Sequence, residues 1–176
     1  MVATVFDNNA KEPMKSSKAP FTSISAPKYT VDLASFQSLN NVTQSRTVSL
    51  AFNLTVHVDN SASFQACCLN HGEVVVSYSG VALAWGRVPG RFCVPRRSVT
   101  SFTVMTWGKG VHLSDDLRRR RLSPDWRAGT VKVLVDMKLH RYPNYALPPI
   151  TARPSTSSIS QELVLGNTSA LQISLS

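Results

Sequence analysis

Few folds can accommodate residues 45–60, S-R-T-V-S-L-A-F-N-L-T-V-H-V-D-N, because the apolar side chains Val48, Leu50, Phe52, Leu54, Val56 and Val58 fall on every second position. Thr47, Ser49, Asn53, Thr55, His57 and Asp59 occupy positions between them. A period of two sends the two sets to opposite faces of a strand, and no helix separates them so cleanly. One strand cannot bury its own oily face, so the rest of the chain must supply a second layer. Residues 130–140 repeat the pattern, with Val131, Val133, Val135, Met137 and Leu139 set against Thr130, Lys132, Asp136 and Lys138; Leu134 alone breaks the polar side.

Shorter stretches fill in the rest. Tyr29, Val31 and Leu33 alternate with Thr30, Asp32 and Ala34, a first strand ending near Phe36. The valine run at 73–77 and the 81–85 segment read as two arms of a hairpin around Ser79-Gly80. Residues 92–95 are a short extended piece. Residues 99–107 form another strand, with Phe102 and Val104 facing one way and Thr103 and Met105 the other, broken by Gly108-Lys109-Gly110. The helical signal is local: Ser114 as N-cap, Asp115 and Asp116 in the first turn, cations later, and Pro124 closing it after one or two turns. Leu113 and Leu117 would pin it to the sheets. Residues 142–158 read as a proline-rich loop, followed by short strands at 162–165 and 171–175.

Residues 1–28 mix Lys, Pro, Ser and Thr with no sustained period and read as a flexible lead-in, leaving 29–176 as the folded domain. A chain of 176 residues with 43% apolar content can build one hydrophobic core. Seven or eight strands separated by turns, with one short helix, define an all-β fold, an antiparallel Greek-key sandwich.

Charge narrows the partners. Nineteen Lys and Arg against ten Asp and Glu give a formal charge of +9, which favours anionic lipid headgroups, acidic polysaccharide or nucleic acid. The consecutive Arg118, Arg119, Arg120 and Arg121 are the candidate anion-binding residues. A solvated helix end complementing its dipole and Asp115 and Asp116 accounts for the same run. Asn41, Asn53 and Asn167 each head an N-x-S/T sequon and are candidate glycosylation sites. Trp85, Trp107 and Trp126 are able to stack sugars or bases, and equally to fill a sandwich core or its rim.

Catalytic and metal signals are weak. Three cysteines are too few for a disulfide scaffold. In an oxidising compartment Cys93 could join Cys67 or Cys68; the plainest reading is three reduced thiols packed as small apolar groups. Cys68 and His71 have C-x-x-H spacing, but a structural zinc site needs a second such pair, and a turn containing packed cysteines explains it. A cysteine nucleophile paired with His57, His71, His112 or His140 is a third functional class, unsupported by any motif. The sequence implies no catalytic residues, no cofactor and no metal. No segment reaches the roughly 18 to 20 apolar residues that cross a bilayer, and the first residues carry no secretory-signal pattern.

Four stretches together resemble the plant late-embryogenesis-abundant (LEA) domain of subgroup two, the harpin-induced-like and hydroxyproline-rich-glycoprotein-like family. They are F-N-L-T-V-H-V-D-N at 52–60, V-V-V-S-Y-S-G-V-A-L-A-W at 74–85, R-V-P-G-R-F at 87–92 and A-G-T-V-K-V-L-V-D-M-K-L at 128–139. The resemblance implies a fibronectin-type-III-like sandwich held on the extracytosolic side of the plasma membrane by an N-terminal helix and linked to stress or defence. The chain departs from the family in lacking that helix, in carrying Asn60-Ser61-Ala62 where Asn-Pro-Asn is usual, and in lacking a cysteine in the terminal strand.

The expectation is therefore a non-enzymatic stress- or defence-associated binding or protective module at the plasma membrane or cell-wall face. Its partners would be anionic membrane headgroups, acidic cell-wall polysaccharide or a protein. The alternative is a basic nucleic-acid-binding β-domain.

Overall fold

A computed structural model describes residues 26–38, 45–141 and 155–165. Both alternating ribbons are strands: β2 (Thr47–Asp59) and β7 (Val131–Arg141). Their apolar sets, Val48 through Val58 and Val131 through Leu139, are all buried in one shared core. The other strands are β1 (Lys28–Ser38), β3 (Cys67–Tyr78), β4 (Val81–Val88), β5 (Phe92–Val94), β6 (Val99–His112) and β8 (Thr156–Leu165). The strand order is β1-β2-β6-β4-β3-β7-β8, with β5 added alongside β3 and every pairing antiparallel. The result is an all-β, nearly closed sheet made of two leaves, β1-β2-β6 and β4-β3-β7-β8, packed on Phe52, Leu54, Leu69, Leu83, Met137 and their neighbours. Each fully buried aliphatic or aromatic side chain contributes about 1.5 to 3 kcal/mol, so the period-two pattern is also the main source of stability.

The leaves meet between β4 and β6, where Trp85 opposite Trp107 is the one ladder pair. Their neighbours in sequence are glycines for a steric reason. A Cβ on Gly108 would lie 1.8 Å from the Leu83 carbonyl oxygen, and one on Gly86 would lie 2.4 Å from that of Met105. The free edges, β1 and β8, are joined by a side chain. The Gln161 amide accepts from Val31 N–H at 2.8 Å and donates to Val31 C=O at 2.7 Å, doing for one residue what a paired strand would do.

Four boundaries differ from the sequence reading. The Cys68 to His71 stretch is not a turn but part of β3. The pairing steps from Leu69 opposite Arg141 to His71 opposite His140, so Asn70 is an extra residue, a bulge. The buried positions switch there from Cys67 and Leu69 to Gly72, Val74 and Val76, which hides the period from a simple reading. Gly108-Lys109-Gly110 does not break β6; it bulges, with Gly110 left-handed at φ 65° and its N–H bonded to Ser49 Oγ. Pro124 does not close the helix. A π-helical stretch, Leu117–Leu122, runs directly into α1 (Ser123–Ala128), and left-handed Gly129 ends it. Pro124 brings no N–H, and the wide turn before it, where Ser123 N–H bonds back to Arg118 C=O, accommodates that loss. Finally, β8 starts at Thr156, inside the stretch read as a proline-rich loop. The expected 171–175 strand and nearly all of the 1–28 lead-in lie outside the described residues.

The hairpin expectation holds. Ser79 (φ 47°) and Gly80 (φ 81°) form a two-residue turn between Tyr78 and Val81, the left-handed geometry that matches strand twist.

Candidate anion-binding surface

The arginine run lies in the helical segment that links β6 to β7 and covers one end of the sandwich. Ser114 Oγ accepts from Leu117 N–H at 3.2 Å, the capping contact expected of it. Leu113 and Leu122 are buried, and Leu117 and Trp126 pack against the core. In the π geometry, residues five apart come to the same side, so Leu117 and Leu122 both face inward. The wide turn also draws Arg118 inside.

The structure therefore divides the four arginines. Arg118 is only 6% exposed and its Nη2 sits 3.0 Å from Asp115 Oδ1. That bond, helped by the charges of Arg119, Arg118 and Arg46, holds the Asp115 carboxyl below the usual carboxylate range. Arg120 Nε is 3.0 Å from Asp116 Oδ1, both side chains well exposed, a pairing of little energetic weight. Arg119 is exposed. Arg121 borders an open depression of about 720 Å³ together with Tyr78, Asp125, Lys132, Asp136 and Glu162. That lining is mixed in charge: Lys132 pairs with Glu162 at 3.0 Å, and Tyr78 Oη donates to Asp125 Oδ2 at 2.8 Å. Burial first, then the Asp125 bond, pushes the Tyr78 phenol up to about 12. The four arginines thus share no face, and the concavity beside them is lined by charges of both signs.

Cations outside the run are more available. Arg87, Arg91, Arg96, Arg97, Lys109 and Arg127 are exposed, and none has a carboxylate within ion-pair distance among the described residues. Arg96 and Arg97 lie at the opposite end of the sandwich from the helix. There the Arg97 guanidinium sits 4.7 Å from the Phe64 ring, which is itself 61% exposed. Buried Asn60 fixes this loop pair: its Nδ2 donates to Gln65 C=O at 2.8 Å and Pro95 C=O at 3.0 Å, tying the β2–β3 and β5–β6 connections together. The turn after it is held by Asp59, whose carboxylate accepts from Ser61 N–H at 2.9 Å. That bonding to Ser61 lowers its pKa.

The cysteines are not three free thiols. Cys68 and Cys93 sit directly opposite each other on β3 and β5, Cα atoms 4.0 Å apart, and form a disulfide. Adjacent strand residues face opposite ways, so Cys67 points inward, buried, with its Sγ 3.6 Å from Tyr29 Oη. Burial, then that contact, raises the Tyr29 pKa. The C-x-x-H thiolate is therefore consumed by the bridge. His71 instead stacks on His140, ring centroids 4.4 Å apart, and His57 meets Asp32 at 3.0 Å. Among the described residues no group of three His, Cys, Asp or Glu is placed to hold a metal.

Of the sequons, Asn53 lies on the polar face of β2, half-buried between Ser35 and Met105, with its Oδ1 buried and unbonded among the described residues. Asn41 and Asn167 lie outside the described residues. Trp126 packs edge-on to Phe36 at 5.7 Å, while Trp85 and Trp107 face outward. No described helix is long and apolar enough to cross a membrane.

No protein-family model and no curated protein matches the chain. Among solved structures, it is similar to a crystal structure of an Archaeoglobus fulgidus protein at 16% identity, covering 76% of this chain and 97% of that one, with a TM-score of 0.38. It is also similar to a candidate late embryogenesis abundant protein solved in solution, at 16% identity over 81% of this chain and 73% of that one, TM-score 0.35. An Arabidopsis thaliana protein solved in solution is 13% identical over 88% of this chain and 92% of that one, TM-score 0.35.

Proposed function

We propose that this chain is a non-enzymatic, stress- or defence-associated module of the LEA subgroup-two kind. In this reading it works on the extracytosolic side of the plasma membrane or at the cell wall, where its cations meet anionic headgroups or acidic polysaccharide. The observation that carries it is the set of exposed cations without carboxylate partners among the described residues, Arg87, Arg91, Arg96, Arg97 and Lys109 foremost, on a chain of formal charge +9. The Cys68–Cys93 bridge supports an oxidising location. With two thiols bonded and Cys67 buried, a cysteine nucleophile has little to stand on.

The test is co-sedimentation of the full chain with de-esterified pectin and with phosphatidylserine-containing vesicles across a salt series. Binding at low salt that falls away over roughly a tenfold rise in ionic strength is expected, because screening lengths shrink from about 30 Å to about 10 Å over that range. No binding to either at low salt, or binding indifferent to salt, overturns the proposal.

A further inference from the structure

The outer face of the sheet carries a feature that core packing does not explain. Trp85 on β4 and Trp107 on β6 are directly opposed across the seam between the leaves. Both rings point outward, 39% and 60% exposed, and Met105, two residues along the same face of β6, is 62% exposed. Opposed residues on paired strands hold their Cβ atoms about 5 Å apart, so the two indoles spring from neighbouring positions on one face. They are also rigidly mounted. The adjacent Gly86 and Gly108 bring the two backbones so close that no side chain fits between them, which fixes the relative position of the strands and of the rings they carry.

Exposed aromatic groups clustered on a soluble domain mark interaction sites. Charge then selects the occupant. The Arg87 guanidinium lies 5.2 Å from the Trp85 ring centroid, and exposed Lys109 follows Trp107 by two residues. A second copy of this chain would bring Arg87 and Lys109 against their own counterparts, like charge on like charge. A uronate polymer meets both halves of the chemistry. Its ring C–H faces match the negative π faces of the indoles, and its carboxylates match the guanidinium and ammonium groups.

We infer that Trp85, Trp107 and Met105, flanked by Arg87 and Lys109, form the binding platform for an acidic polysaccharide of the uronate class. This rests on the anion-binding reading above and assigns it to a place remote from the arginine helix.

The test is titration of the full chain with polygalacturonate, read by tryptophan fluorescence and calorimetry. Fully methyl-esterified polymer and vesicles of phosphatidylcholine with one-quarter phosphatidylserine are run in parallel. Trp107→Ala should weaken polygalacturonate binding by about tenfold or more, and Trp107→Phe by far less, since a ring remains to stack on. Arg87→Gln should weaken binding several-fold and flatten its salt dependence. The double variant Arg119→Gln/Arg121→Gln should leave it unchanged. Circular dichroism confirms that each variant is folded, and Trp107→Phe keeps the test decisive if the alanine variant is not. Tryptophan variants that bind like wild type while the helix variant loses binding would overturn the platform and leave the anion-binding reading standing. The platform is likewise overturned by a preference for esterified polymer, by platform-dependent binding to vesicles alone, or by platform-dependent dimerisation. Wild-type protein that binds neither polymer nor vesicles would remove the anion-binding reading itself.

Discussion

Replacing Gln161 with Ala should open the sandwich at its edge. The Gln161 amide makes two bonds to Val31, at 2.8 Å from the amide N–H and 2.7 Å to the carbonyl, and Val31 is buried. Each such bond contributes about 1 kcal/mol net, and stranded partners add about 1 kcal/mol more where water reaches them imperfectly. Gln161 is half-buried, so water will partly replace it. The total loss is about 2 to 3 kcal/mol, which for a chain of this length is a fall in Tm of about 5 to 10 °C. Urea unfolding gives the energy, and hydrogen exchange gives the location. The Val31 amide should lose protection while the amides of β2 and β6 keep theirs. Gln161→Leu, which keeps the volume, should behave alike. In Gln161→Glu the ionised carboxylate accepts from Val31 N–H but faces Val31 C=O as a second acceptor, so the folded state raises its pKa above the usual value of about 4.3. Stability in that variant is then greatest below about pH 4.3 relative to wild type and falls as pH rises through the folded-state pKa. A Gln161→Ala change under about 0.5 kcal/mol, with Val31 as protected as in wild type, would refute the reasoning.

Three further outcomes follow from the packing. Gly108→Ala places a Cβ 1.8 Å from the Leu83 carbonyl oxygen, so the leaves must separate locally, at about 2 to 3 kcal/mol by denaturant titration. Reduction of Cys68–Cys93, which spans 25 residues, should cost about 3 kcal/mol through unfolded-chain entropy, read as a lower urea midpoint in reductant that a Cys68→Ser/Cys93→Ser variant reproduces without it. The Tyr78 phenol, pushed up to about 12, contributes stability that is complete below about pH 10 and lost as pH rises toward 12. Ultraviolet titration should show Tyr78 ionising late, as Tyr29 does, and Tyr78→Phe should remove one of the two late steps together with its part of the alkaline slope.

The site was only partly legible. The basic character is written in the composition, and the arginine run stands out, yet a wide helical turn buries Arg118 and leaves Arg120 paired to Asp116. Trp85 and Trp107 were visible as residue types, but their outward orientation depends on parity within β4 and β6, and their juxtaposition depends on one ladder pair. Gln161 left a faint trace: it is a polar residue set between Ile159 and Leu163 on the inner face of β8. Asn60 showed only as the head of the altered Asn-Pro-Asn turn; its tying role was hidden, since its carbonyl partners come from separate segments.

What the sequence determined by itself was whatever depends on near neighbours: strand periodicity in β2 and β7, the Ser79-Gly80 turn, the Ser114 cap and therefore an all-β architecture. Side-chain direction in an extended chain is set locally, and burial of one face is demanded by water. Tertiary structure alone decided the bulges at Asn70 and at Gly110, the partner of Cys93, the helix running past Pro124 and the pairing of two indoles across the seam. All but the helix, whose wide turn is set locally and packed from outside, are fixed by the register between segments distant in sequence, and a shift of a single residue in that register turns an inward side chain outward.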